Sequence, residues 1–121
     1  MEGQVKSYRD LVVWQKSMDL VVEIYELTEL FSKSEIYGLT SQIRRSAISI
    51  PSNIAEGKAR GTRKDYKHFV TIAFASGAEL ETQIELSKRL FKNNGFDYNK
   101  IDSILLEVMK MLNSLKYKLS T

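Results

Sequence analysis

Ile101, Leu105, Val108, Leu112, Leu115 and Leu119 fall three or four residues apart without interruption, a spacing that places all six on one side of an α-helix. Three further segments repeat the pattern, and this repetition restricts the fold more than any other feature. Leu11, Trp14, Met18, Val21 and Tyr25 run beside a second row of Leu20, Ile24, Leu27 and Phe31. Leu39, Ile43, Ala47, Ile50 and Ile54 form the next stripe, followed by Phe69, Ala73, Gly77, Leu80, Ile84, Ser87 and Phe91. No alternating apolar run competes as a strand. The spacing predicts helices over residues 10–31, 36–58, 63–93 and 98–119 of a single domain, 1–121. Four amphipathic helices joined by short connections bury their stripes most simply as an all-α, antiparallel up-down four-helix bundle.

Local signals set the expected boundaries. Asp10 is the expected N-cap of the first helix, and Thr62-Arg-Lys-Asp65 resembles a capping box opening the third. Gly95 is placed to end the third helix; Asp97 would cap the fourth, with Phe96 and Ile101 as a hydrophobic staple.

Pro51 interrupts the second stripe. A proline inside a helix removes one amide donor and crowds the carbonyl of Ala47, at about 3 kcal/mol in an ordinary helix. Breaking there would leave a piece barely one turn long before Gly57 and Gly61, too short to hold itself together. The apolar row passes from Ala47 through Ile50 to Ile54 in register, so a continuous helix kinked at Pro51 is expected. The small residues Ser46, Ala47, Ser49 and Ser52 would let a neighbouring helix or subunit come close.

The chain contains no cysteine and one histidine among 121 residues, which excludes disulfides, thiolate metal sites and cysteine nucleophiles and leaves no multi-histidine metal site. No apolar run is long enough to span a bilayer, and the N-terminus lacks a signal-like apolar stretch. The expectation is a cytoplasmic protein with no membrane contact, cofactor or metal. No activated nucleophile accompanies Glu79, Glu81 and Glu85, and Glu85 with Arg89 has the spacing of an exposed helix ion pair. No catalytic residue is assigned, and an enzyme is not expected.

Net charge is only +3, so its distribution matters more than its size. Arg44, Arg45, Lys58, Arg60, Arg63, Lys64 and Lys67 are opposed within their window only by Glu56 and Asp65. The excess of positive charge is therefore local.

Three stretches, "DLVVWQKSMDLVVEIYELT", "YGLTSQIRRSAISIPSNIAEGKARGTRKDY" and "ASGAELETQIELSKRL", resemble the bacterial four-helix-bundle family of 23S rRNA intervening-sequence proteins. The accessory variability determinant of diversity-generating retroelements is a relative of that family. The match covers nearly the whole chain and is most specific from Gln42 to Gly57. The resemblance implies a bundle that assembles into a homopentamer, a basic surface that binds nucleic acid and, for the retroelement relative, contact with a reverse transcriptase and its RNA. Phe31-Ser32 departs from the Phe-Pro common after the first helix, and Ser76-Gly77-Ala78 from the usual Gly-Ser.

Two readings of the basic window stay open. It is either a solvated face of surface ion pairs or a phosphate-binding surface formed by Arg44, Lys58, Arg60, Arg63, Lys64 and Lys67. The helix dipole disfavours cations in the first turn of the third helix, which argues that Arg63 and Lys64 serve something besides helix stability. Gly57 and Gly61 would give Lys58 and Arg60 freedom to follow a backbone. Gln42, Arg45, Pro51, Asn53, Glu56 and Gly57 are assigned to structure or an interface, with Arg45 and Glu56 as ion-pair members by resemblance. The partners expected are further copies of the chain and RNA or DNA. The alternative is a scaffold for an acidic protein partner such as a mobile-element enzyme.

Overall fold

The computed structural model describes residues 6–121, so residues 1–5 of the expected 1–121 domain and N-terminus lie outside it. Four helices, α1 (Val12–Thr28), α2 (Leu39–Arg60), α3 (Arg63–Leu90) and α4 (Asn99–Leu119), make up the fold, with short 3-10 turns at Tyr8–Asp10 and Lys33–Glu35. Each helix packs on its sequence neighbour and α1 closes the square against α4, while the diagonal pairs do not meet. The bundle is therefore up-down, with no strand among the described residues. Leu20, Ile24, Ile43, Ile50, Ile54, Leu80, Ile84 and Leu112 are the largest side chains sealed in its core.

Ion pairs across three of the four seams fix the order of the helices: Arg44 with Glu29 between α1 and α2, Lys88 with Asp102 between α3 and α4, and Lys16 with Glu107 and Lys100 with Glu23 between α1 and α4. All are at least partly exposed, so each contributes no more than about 1 kcal/mol and matters more for register than for stability.

The α2–α3 seam, the most extensive, has no interhelical ion pair and is built from small residues. Gly57 lies buried inside α2 against Phe69 and Tyr66 of α3. One turn and two turns earlier, Asn53 Nδ2 donates to the Ser49 carbonyl and hydroxyl, and the Ser49 hydroxyl bonds to that of Ser76 on α3 at 2.8 Å. Pro51 sits buried within the unbroken α2. Within the Ser46 to Ser52 stretch, α3 makes the close approach at Ser49, while Pro51 and Ser52 face Trp14, Met18 and Val21 of α1.

Several boundaries differ from the sequence expectation. Asp10 does not cap α1; its carboxylate accepts from the Lys6 and Ser7 amides and closes a capping box around the 3-10 turn, which delays α1 to Val12. Gly57 is neither a helix end nor a flexible joint, because α3 encloses it; α2 runs on to Arg60 and stops at Gly61, whose φ of 84° is left-handed. Thr62 does cap α3, accepting from the Asp65 amide at 3.1 Å. α3 ends at Leu90, short of residue 93, and α4 begins at Asn99, with Asp97 holding the Asn99 amide from just outside. Phe96 joins Phe31 and Phe91, centroids 5.0–6.1 Å apart, and this cluster closes the end of the bundle away from Gly61.

Candidate nucleic-acid interface

In an up-down bundle the start of α1, the end of α2, the start of α3 and the end of α4 all lie at one end. The Arg63 guanidinium, in the first residue of α3, donates to the carbonyls of Lys118 and Thr121 and ties two of these termini together. Tyr8, just before α1, lies beside Ser52 and Ala55 of α2. This end gathers Lys6, Arg9, Lys58, Arg60, Arg63, Lys64, Lys67, Lys116 and Lys118 against Asp10, Glu56 and Asp65. Its net charge of +6 exceeds the +3 of the whole chain, so the rest of the molecule is net negative.

Sequence proximity identified the α2–α3 turn but not Lys6, Arg9, Lys116 and Lys118, which lie some 50 residues away on either side. The helix dipole could have pointed to Lys116 and Lys118, cations in the last turn of α4.

Aromatic rings hold several of these cations in place. Arg9 stands 5.1 Å from the Tyr8 ring centroid, Lys58 5.4 Å from Tyr66, Arg60 5.0 Å from Phe69 and Lys116 5.0 Å from Phe74. Such contacts are worth about 0.5–1 kcal/mol at exposed sites and restrict the side chains without neutralising them. Arg60 also pairs with Glu56 at 3.1 Å, both half-exposed, the one ion pair among the described cations of the turn. Lys64 is exposed and Lys67 partly so, and neither has an ion-pair partner among the described residues.

Arg63 therefore has a structural reason to occupy a position the α3 dipole disfavours, since the negative C-terminal end of α4 lies against it. Lys64 has none. Arg44 lies elsewhere, towards the opposite end of the α1–α2 seam: it stands 4.3 Å from the Tyr25 ring centroid, donates to Thr28 and Glu29, and shares a groove with Thr40 and Ile36. Arg45 lines that groove and is exposed, as is Gln42. Within the chain the packed member of the arginine pair is thus Arg44, and the partner of Glu56 is Arg60.

Burial pushes the Tyr66 phenol above its usual value near 10, which keeps it neutral beneath Lys58. A phenol held neutral by folding stabilises fully below pH 10, and that contribution fades as pH rises through the elevated value. The Tyr66 hydroxyl also has no hydrogen-bond partner among the described residues. Tyr66→Phe is expected to leave stability at pH 8 unchanged or slightly higher and to flatten its decline between pH 9 and 11; parallel decline in urea denaturation of both proteins would contradict the assignment.

The sequence model of the 23S rRNA-intervening sequence proteins matches residues 9–114, which takes in α1, α2, α3 and all but the end of α4. The chain belongs to the 23S rRNA-intervening sequence protein family. A crystal structure of a protein of unknown function from the S23 ribosomal protein family of Bacteroides thetaiotaomicron VPI-5482 is 30% identical and superimposes with a TM-score of 0.77, covering 87% of this chain and 98% of the other. The comparison with curated proteins returned no match. In this member of the 23S rRNA-intervening sequence family, no group of three or more His, Asp or Glu side chains among the described residues is placed to hold a metal. No helix among them is long and apolar enough to cross a membrane.

Proposed function

We propose that this chain is a non-enzymatic, cytoplasmic bacterial protein that binds RNA or DNA as a homo-oligomer, gripping phosphates with the basic end of the bundle. The observation that carries the reading is the convergence of cations from three separated stretches of chain on one end of a molecule that is otherwise net negative. Counterion release on phosphate contact makes such binding depend steeply on salt. The exposed Lys64, in the first turn of α3, would meet a phosphate beside free helix-terminal amides.

Assembly supports the same function. Val22 and Ile48 on the α1–α2 side and Leu86, Leu90 and Leu106 on the α3–α4 side are 41–60% exposed, and apolar side chains of this kind suit contact with further copies. The homopentamer implied by the family resemblance would repeat the basic end five times, and linked weak sites multiply into avidity.

Light scattering and the 260/280 nm absorbance ratio, read together on protein purified at low and at high salt, test both parts. A multimeric mass with nucleic acid released at high salt is expected. A monomer, or a multimer with no affinity for RNA or DNA at low salt, overturns the corresponding part.

A further inference from the structure

We infer that the basic end takes single-stranded nucleic acid, with one base stacked on the ring of Tyr117; this rests on the proposed nucleic-acid binding. Tyr117 lies in the last turns of α4, between Lys116, which reaches across to Phe74 of α3, and Lys118, whose carbonyl Arg63 holds. Its side chain is 74% exposed. Tyr8, Tyr66 and Phe69 at the same end, and Phe74 further along α3, each carry a cation of the protein over the ring. Among the described residues, no cation or aromatic ring lies over Tyr117.

An open aromatic face within a group of fixed cations is the arrangement by which proteins hold single strands: the cations follow the phosphates while unpaired bases stack on the ring. A duplex cannot use it in the same way, because its bases already stack on each other and present only their edges in the grooves. Lys64 and Lys67 on α3 and Lys118 on α4 supply the phosphate contacts on either side. Stacking is tolerant of base identity, so the site reads strandedness rather than sequence.

The test compares wild type, Tyr117→Ala and Tyr117→Phe on single-stranded RNA, single-stranded DNA and duplex DNA of equal length, each carrying 2-aminopurine. Fluorescence anisotropy reports affinity and 2-aminopurine quenching reports stacking. Single strands are expected to bind wild type more tightly than duplex and to be quenched, RNA and DNA alike if stacking alone selects. Tyr117→Ala should lose roughly five- to a hundredfold in single-strand affinity together with the quenching, while duplex affinity stays unchanged; Tyr117→Phe should retain both. Circular dichroism checks the fold of each variant. Tight single-strand binding that Tyr117→Ala leaves unaltered overturns the stacking and spares the nucleic-acid reading. Equal or tighter duplex binding does the same, whereas no binding to any oligonucleotide overturns both.

Discussion

Replacing Gly57 with valine is expected to lower the melting temperature by about 10 °C, from overpacking worth roughly 3 kcal/mol in a domain of this size. A Cβ at this position would stand 2.7 Å from the Cβ of Phe69 and 3.3 Å from the Tyr66 carbonyl oxygen. Both belong to α3 at points that no side-chain rotation can move, so the two helices must separate along their longest seam. The gain in helix propensity on leaving glycine, under about 1 kcal/mol, does not offset this. Two other glycines calibrate the effect. Gly77 faces the Met109 side chain, a flexible thioether that can swing aside, so Gly77→Ala should cost less than Gly57→Ala. Gly61 has nothing within 4 Å of an added Cβ but holds a φ of 84°, so Gly61→Ala should cost only about 1–2 kcal/mol of backbone strain. Thermal denaturation followed by circular dichroism ranks the three. Melting of Gly57→Val within 2 °C of wild type would mean the seam is looser than described.

Reversing Lys64 and Lys67 together to glutamate is expected to weaken nucleic-acid binding at least a hundredfold at physiological salt and to lower the slope of log K against log salt by about 2, one for each lost phosphate contact. Stability offers no competing explanation, because Lys64→Glu in the first turn of α3 exchanges an unfavourable dipole interaction for a favourable one of several tenths of a kcal/mol. The mutant should therefore melt no lower than wild type. Arg63→Ala serves as the structural control: it removes the clasp on the last carbonyls of α4, so it should lower stability by about 1 kcal/mol and fray that helix. An unchanged salt slope in the double reversal would place the nucleic-acid site elsewhere.

The four helices were legible because helical periodicity is a local property: each apolar stripe sits within one stretch of sequence and needs no partner to be recognised. The continuity of α2 through Pro51 was legible for the same reason, since the row from Ala47 to Ile54 holds its register. The buried face of α1 was legible only in part: Leu20, Ile24 and Leu27 are sealed in the core with Val13 and Ser17, whereas Met18 and Tyr25 of the row beside them are 42% and 38% exposed. Asp10 was assigned the wrong turn because a carboxylate one residue before a helix can cap either that helix or a preceding 3-10 turn, and only the placement of Ser7 decides. Gly57 illustrates a different limit. A glycine before a basic turn reads equally well as a hinge or as a contact point, and the contact exists only once α3 lies across it.

The site follows the same division. The sequence by itself determined that the cations of the α2–α3 turn sit together, because neighbours in the chain are neighbours in space. Tertiary structure alone decided that Arg9, Lys116 and Lys118 join them, that Arg63 is held by the end of α4, and that Tyr117 stands open among them. Those relations depend on an even number of antiparallel helices returning distant segments to one end, where charges brought together by folding act on the same ligand.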